Sequence, residues 1–243
     1  MLAFWQGRYE LAADYYEQAL SLSRQSGNRA AEVTGLCNLA GTRIRLTQYE
    51  QAASYLQQAL VLSRDIGNKD GEAYALLALG DTSLRQGHDD LADSYLRQGL
   101  ALSRHLGDRV GEAAALSGLG ELDLRQGRHQ DAASQLHLAL ALSRQAGARS
   151  SETDALHLLG EVSLATGDHR QACTHHAAAL ALASQAGDMH LQARAYDGLA
   201  RAAAAGADAR QARHHWQQAL TLYTQLGAPE ADHVQSRLNE VRA

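Results

Sequence analysis

The chain has 243 residues, of which 45% are hydrophobic and 20% are charged, and its formal net charge is −5. This composition is typical of a folded globular protein, and its mild acidity argues against direct nucleic-acid binding, which needs a basic surface. Two cysteines make no disulfide framework and fit a reducing cytoplasm. No segment resembles a signal peptide or reaches the ~20 apolar residues of a membrane span.

A glycine recurs every 40 residues, which indicates a protein built from repeated units. The six positions are Gly27, Gly67, Gly107, Gly147, Gly187 and Gly227. Within residues 73–106, apolar residues at helical spacing predict two helices, the first ending near Gly87 in a left-handed turn. Asp108 follows the second helix and is placed to cap the next one. Each unit is therefore an antiparallel hairpin of a helix A and a helix B.

In chain order, the sequence predicts a partial repeat at residues 1–28, mainly a helix B, and then five full repeats. These are residues 29–67, 69–107, 109–147, 149–187 and 189–227. Pro229 begins a last polar helix, residues 229–242, which is suited to cap a repeat array. We interpret residues 1–243 as a single all-α domain. The first helix B has no partner ahead of it, so we expect a C-terminal part of a longer protein.

Residues at the same position of successive repeats, called a column below, predict how the helices pack. Small residues recur on helix A at Ala40, Gly80, Gly120, Gly160 and Ala200. Large residues recur on helix B at Tyr16, Leu56, Leu96, Leu136, His176 and Trp216. Small side chains let neighbouring helices approach closely, as a stacked array requires. We expect His176 to be a packed, hydrogen-bonded core histidine.

These columns resemble the tetratricopeptide repeat (TPR). The third repeat carries the pattern at Leu76, Leu79, Gly80, Gly87, Ala92, Leu96 and Gly99. The resemblance implies a right-handed superhelix of antiparallel helix pairs, a TPR solenoid, that binds proteins or peptides and has no catalytic activity. One departure is that the proline that usually ends helix B is replaced by Arg24, Arg64, Arg104, Arg144 and Ser184. Without proline, helix B continues, which accounts for repeats of 40 residues instead of ~34.

The end of the chain, residues 225–238, resembles the C-termini of actinobacterial SARP-type (Streptomyces antibiotic regulatory protein) transcriptional regulators. This resemblance implies the ligand-sensing or interaction region of a cytoplasmic regulator of antibiotic biosynthesis. It also implies DNA-binding or nucleotide-binding domains upstream in the same parent chain. No phosphate-loop motif or Gly-x-Gly-x-x-Gly motif occurs within these 243 residues.

In the TPR family, helix A lines a concave groove that holds the ligand. The resemblance assigns thirteen positions to it: Arg45, Tyr74, Leu77, Asp81, Arg85, Glu121, Arg125, Asp154, His157, Glu161, Arg194, Asp197 and Arg201. The arginines of the early part could hold the carboxylates of a peptide by forked hydrogen bonds. The alternative is that Asp81–Arg85 and Glu121–Arg125 are solvated pairs at i, i+4 spacing.

A metal site and an enzyme are the less favoured interpretations. His169, Cys173 and His176 share one helix face at i, i+4, i+7 and could hold a soft divalent metal. No fourth ligand is evident, so the sequence favours neither a metal nor a cofactor. No catalytic motif is present. The alternative to a sensor is a constitutive, self-associating scaffold, for which a homodimer is possible, and neither direct nucleic-acid binding nor a membrane partner is expected.

Overall fold

A computed structural model describes residues 8–240, which form twelve α-helices and no strand. The helices are α1 (Tyr9–Gln25), α2 (Arg29–Arg45), α3 (Tyr49–Asp65), α4 (Lys69–Arg85), α5 (Asp89–Leu106), α6 (Arg109–Arg125), α7 (His129–Ala146), α8 (Arg149–Ala165), α9 (His169–Ala186), α10 (Met189–Ala205), α11 (Ala209–Leu226) and α12 (Glu230–Glu240). Consecutive helices pack in pairs, which confirms the predicted all-α class. None of the helices in the described range is long and apolar enough to cross a membrane.

The contacts divide the chain into two compact units, Met1–Leu122 and Asp123–Ala243. In the first unit, buried Leu36, Leu56 and Leu60 belong to a core shared by helices α1 to α4. In the second unit, Trp216 and Tyr223 belong to a core formed by α10, α11 and α12. In both cores, alanines with almost no exposed surface separate the large side chains, so the helices lie close together.

The turns between helices use the predicted chemistry. Asp108 accepts a hydrogen bond from the backbone N–H of Gly111 at 3.0 Å, which confirms it as the N-cap of α6. Gly87 lies in the turn that follows α4. Its φ of +74° is the left-handed conformation that glycine adopts without steric cost. Thr47 and Ala207 hold the equivalent turns with positive φ values of 56° and 62°. These two turns therefore carry a strain that the glycine turns avoid.

An ion pair ties each of four B helices to the helix A that follows it. The arginine near the end of helix B donates from Nε to a glutamate eight residues later. The pairs are Arg24–Glu32 at 2.8 Å, Arg64–Glu72 at 2.8 Å, Arg104–Glu112 at 2.7 Å and Arg144–Glu152 at 2.7 Å. These arginines stand where the standard repeat has proline, so the departure from the pattern supplies a repeated contact.

The last helix, α12, begins at Glu230, and Pro229 lies in the turn before it. Its buried residues Val234 and Leu238 pack against the core that contains Trp216 and Tyr223. Residues 1–7 of the predicted first repeat and residues 241–242 of the predicted last helix lie outside the described residues.

Candidate functional site

The predicted groove residues of the first unit lie mainly on one face of α4. Tyr74, Leu77, Asp81 and Arg85 follow one another at spacings of three or four residues, which places them in one stripe. Tyr74 is 51% exposed. Leu77 packs against Gly99 of α5, where an added Cβ would lie 2.5 Å from the Leu77 Cδ2. The stripe therefore presents an aromatic ring and charged groups above a leucine that packs between helices.

Two charges of this stripe form a partly exposed pair within α4. Arg85 Nη2 lies 3.4 Å from Asp81 Oδ1, and the side chains are 34% and 42% exposed. An exposed pair of this kind contributes ~0.3–0.5 kcal/mol, so a ligand could displace it at little cost. Arg45 on α2 and Glu121 on α6 are partly exposed, and Arg125, which falls in the second unit, is exposed.

The predicted groove residues of the second unit are bonded to one another. Both Nη atoms of Arg201 donate to the Glu161 carboxylate, with Nη1 to Oε2 at 2.7 Å, while Nε donates to Asp197 Oδ2 at 3.1 Å. The indole N–H of buried Trp216 donates to Asp197 Oδ1 at 2.9 Å. This group of four side chains on α8, α10 and α11 is called the Arg201 network below.

A second ion pair on the same helices also joins two predicted groove residues to each other. Arg194 Nη1 donates to Asp154 Oδ1 at 3.0 Å, and these residues are 40 positions apart, as are Arg201 and Glu161. Each pair therefore joins the same repeat position in α8 and α10. These two ion pairs join different helices, whereas Asp81 and Arg85 form a pair within α4.

A buried histidine lies beside the Arg201 network. His176 on α9 has no exposed surface and fits between two helix glycines. A Cβ added at Gly160 would lie 2.5 Å from its Nε2, and a Cβ added at Gly198 would lie 2.5 Å from its Cε1. We call this space the His176 slot. It exists because α8 and α10 each present a residue without a side chain to the imidazole ring.

The first unit contains the same slot with a leucine in it. Leu96 on α5 lies between Gly80 and Gly118, whose added Cβ atoms would lie 2.6 and 2.7 Å from its Cδ2. Each of these three residues is 80 positions ahead of its counterpart in the His176 slot. The fold is therefore compatible with an aliphatic side chain at this position.

The prediction that His176 is hydrogen-bonded is wrong. Among the described residues, neither its Nδ1 nor its Nε2 has a hydrogen-bond partner. Burial, together with the nearby Arg201 guanidinium, lowers the pKa of His176 to about 3. The ring is consequently neutral at physiological pH, and an unsatisfied buried polar group costs ~1–3 kcal/mol of stability.

His157, Glu161 and His176 bring three potential ligand atoms together. The Nε2 atoms of His157 and His176 lie 3.7 and 3.5 Å from the same Glu161 oxygen, Oε1. All three ligand atoms fall within 4.8 Å of one another. Two imidazoles and a carboxylate are a ligand set that divalent transition metals accept. His169 and Cys173, which the helical spacing grouped with His176, are not part of this cluster.

The sequence predicts His157 and Glu161 on the groove and His176 in the core, but it does not predict that the three side chains lie together. A signal was present, because Glu161 and Arg201 occupy one column in adjacent repeats and carry opposite charges. Residues at equivalent positions of stacked repeats are neighbours, so this reversal of charge indicates an ion pair between repeats.

The fold is shared with several solved TPR structures. A Rap protein complexed with competence and sporulation factor matches with a TM-score of 0.73 and 16% identity, covering 100% of this chain and 72% of that one. A chain of the APC/C hetero-tetramer Cut9–Hcn1 matches with a TM-score of 0.75 and 15% identity, covering 94% of this chain and 39% of that one. A signal-transduction ATPase with a TPR sensor from Pyrococcus horikoshii matches with a TM-score of 0.66 and 14% identity, covering 98% and 35%.

No curated protein sequence matches the chain significantly. The tetratricopeptide repeat family matches residues 1–65, 32–105 and 151–225, which together make up more than half of the chain. The chain belongs to the tetratricopeptide repeat family.

Proposed function

We propose that the chain is a protein- or peptide-binding module whose ligand occupies the α4 stripe of the first unit. The observation that carries this proposal is the exposed Tyr74 in line with Asp81 and Arg85, whose side chains are 42% and 34% exposed. The equivalent face of the second unit has its charges bonded to one another across two helices. A ligand would therefore meet partly exposed charges on α4, whereas it would have to break ion pairs between helices on α8 and α10.

The chemistry of the stripe suits a peptide of mixed charge. Arg85, with Arg45 on the neighbouring A helix, can hold carboxylates through forked hydrogen bonds, and Tyr74 offers an aromatic surface with a polar end. Among the structural neighbours, a Rap protein is complexed with competence and sporulation factor, and Cut9 is assembled with Hcn1. These assemblies support the idea of a protein ligand for this chain.

The regulatory role that we propose is that of a sensor in a larger cytoplasmic regulator of SARP type. The support is the resemblance of residues 225–238 to the ends of those proteins. Ligand binding on the TPR region would then change the activity of upstream DNA-binding or nucleotide-binding domains through a coupling free energy between two sites. The test is whether a peptide selected on this chain changes the DNA affinity of the full-length parent.

The binding proposal is tested with a random peptide library displayed on phage. We expect selection on the purified chain to return peptides with carboxylate and apolar side chains. Tyr74→Ala and Arg85→Glu should each weaken a selected peptide at least tenfold in a titration. Arg97→Glu on α5 is the matched control, since Arg97 is 67% exposed and pairs with Asp93 at the same i, i+4 spacing.

Two outcomes would contradict the proposal. One is a selected peptide that Tyr74→Ala, Arg85→Glu and Arg97→Glu all bind as tightly as the original chain. The other is a library from which no sequence is enriched.

The alternative role, a self-associating scaffold, is favoured by a different surface. Tyr15 and Leu22 are 56% and 65% exposed and lie two turns apart on one face of α1. Exposed apolar side chains in one stripe are a common feature of association surfaces. If this role is right, the mass in light scattering should rise with concentration, and Leu22→Glu should abolish that rise. A constant monomer mass would exclude it.

A further inference from the structure

The geometry points to a metal-binding site at His157, Glu161 and His176 in the second unit, with a divalent transition metal of the zinc and cobalt class as its ligand. This inference is independent of peptide binding on α4. It follows from the position of the three ligand atoms, from the unsatisfied state of His176 and from the charges around the cluster.

The distances fit a metal site better than a hydrogen-bonded cluster. Glu161 Oε1 lies 3.7 Å from His157 Nε2 and 3.5 Å from His176 Nε2, beyond the ~2.7–3.2 Å of an N–H···O hydrogen bond. Zinc bonds of ~2.0–2.2 Å to nitrogen and oxygen give tetrahedron edges of ~3.3–3.6 Å. The two distances that end on Glu161 Oε1 are therefore close to the edges of a zinc site, and the ligand atoms of the two imidazoles lie within 4.8 Å of each other.

His176 supplies the second observation. It is fully buried, and both of its ring nitrogens lack a hydrogen-bond partner among residues 8–240. The equivalent slot of the first unit holds Leu96, so helix packing alone does not require a histidine here. A neutral imidazole is the form that binds metals. An ion at Nε2 would satisfy a group that the protein leaves unsatisfied.

The surrounding charges orient the carboxylate and partly compensate the ion. Arg201 holds both oxygens of Glu161, and an oxygen with two lone pairs can accept that hydrogen bond and still face the two imidazoles. Two acids, Glu161 and Asp197, face the single guanidinium of Arg201, which leaves an excess of one negative charge. Arg201 thus acts as a positioning residue behind the ligand.

The site is open on one side. His157 and Glu161 keep 13% and 19% of their side-chain surface exposed, while His176 forms the buried floor. Three protein ligands leave a fourth position for water or for a donor atom from a bound partner, as in zinc sites that are not purely structural. Because His157 and Glu161 belong to the predicted groove, a ligand on this face could complete the coordination.

The test uses the full chain without a polyhistidine tag, stripped with EDTA and titrated with Co²⁺. A four-coordinate Co²⁺ site gives an intense visible absorption band, and we expect one band that saturates at one ion per chain. Zn²⁺ should abolish the band by competition and raise the melting temperature. His176→Leu should lower Co²⁺ affinity more than roughly 100-fold, since even second-shell changes cost 10–100-fold.

The variants separate a lost ligand from a lost fold. His176→Leu places in the second unit the side chain that the first unit holds at the equivalent position, so it should keep its helical circular dichroism. His157→Gln and Glu161→Gln should also lose the band. His169→Ala with Cys173→Ala is the control and should retain it, because these residues lie outside the cluster.

Three results would overturn the inference. The first is the absence of a band in the original chain, as expected if a water molecule occupies the cluster. The second is equal Co²⁺ affinity in the original chain and His176→Leu. The third is loss of the band in the His169→Ala and Cys173→Ala control, which would place the metal at those residues.

Discussion

The two units use the same slot for opposite purposes. In the first, Leu96 fills the space between Gly80 and Gly118 with a side chain that has no polar atom. In the second, His176 fills the space between Gly160 and Gly198 and leaves both ring nitrogens unsatisfied. The backbone arrangement is thus indifferent to polarity at this position. We expect the histidine to lower stability compared with a leucine, and a residue that breaks a packing rule at such a cost is typical of a functional site.

The charged side chains on the helices that form the two slots also differ between the units. Beside Leu96, Asp81 and Arg85 form a loose pair at 3.4 Å on one helix. Beside His176, Arg201 on α10 joins Glu161 on α8 and Asp197 on its own helix. The first face carries a partly exposed pair within one helix, whereas the second carries a cluster of charges that joins two helices. Variants at matched positions of the two units test this difference.

The largest expected effect comes from the matched pair Arg201→Gln and Arg85→Gln. Arg201→Gln leaves Glu161 and Asp197 close together without their cation, and we expect a loss of about 3 kcal/mol in the free energy of unfolding. This value lies at the low end for buried ion pairs because Arg201 is 25% exposed. Arg85→Gln should cost less than ~0.5 kcal/mol. Denaturant unfolding followed by circular dichroism measures both, and equal losses would refute the contrast.

A second pair of variants compares the slots themselves. Gly198→Ala places a methyl group against the rigid imidazole of His176, and we expect a loss of about 2 kcal/mol. Gly118→Ala places a methyl group 2.7 Å from the Leu96 Cδ2, and the flexible leucine should limit the loss to about 1 kcal/mol. Gly41→Ala meets nothing within 4 Å and should stabilise its helix by about 1 kcal/mol.

A double variant checks the cause of that loss. His176→Ala removes the ring, so Gly198→Ala should cost nothing further in a His176→Ala background. A loss of the same size in both backgrounds would mean that the methyl group disturbs something other than the imidazole.

The smallest effect is a difference in pH dependence. The pKa of His176 is lowered from 6.5 to about 3, mainly by burial, with smaller lowering contributions from Arg201, His175 and Arg194 and an opposing one from Asp197. Below pH 6.5 the unfolded ring binds a proton that the folded ring does not, so stability falls as the pH falls. The slope approaches ~1.4 kcal/mol per pH unit for one group.

His176→Leu should lack this part of the slope, while His175 and His215, whose pKa values burial also lowers, titrate in both chains. The difference in unfolding free energy between pH 6.5 and 5.5 therefore isolates His176. Parallel profiles for the two chains would show that the ring is protonated or solvated in the folded state.

The sequence predicted the repeated hairpins because they depend on local patterns. The glycine period, the cap at Asp108 and the turn at Gly87 each follow from residues close together in the chain. The environment of His176 could not be predicted in that way, because its neighbours Gly160, Glu161 and Gly198 lie on two other helices. Spacing within α9 instead grouped His176 with His169 and Cys173, which are not part of the cluster. Comparing columns across repeats would have detected the Arg201–Glu161 pair, but not the distances that define a metal site.

The most direct test of this account is the free energy of unfolding of the original chain and of His176→Leu, with Trp5→Phe in both so that Trp216 reports on the second unit. In EDTA at neutral pH, we expect His176→Leu to be more stable by at least about 1 kcal/mol, because it removes an unsatisfied buried polar group. Added Zn²⁺ should stabilise only the chain that carries His176. The contradicting result is that His176→Leu is less stable than the original chain and that Zn²⁺ changes the free energy of unfolding of neither. That result would show that His176 stabilises the fold and does not bind a ligand.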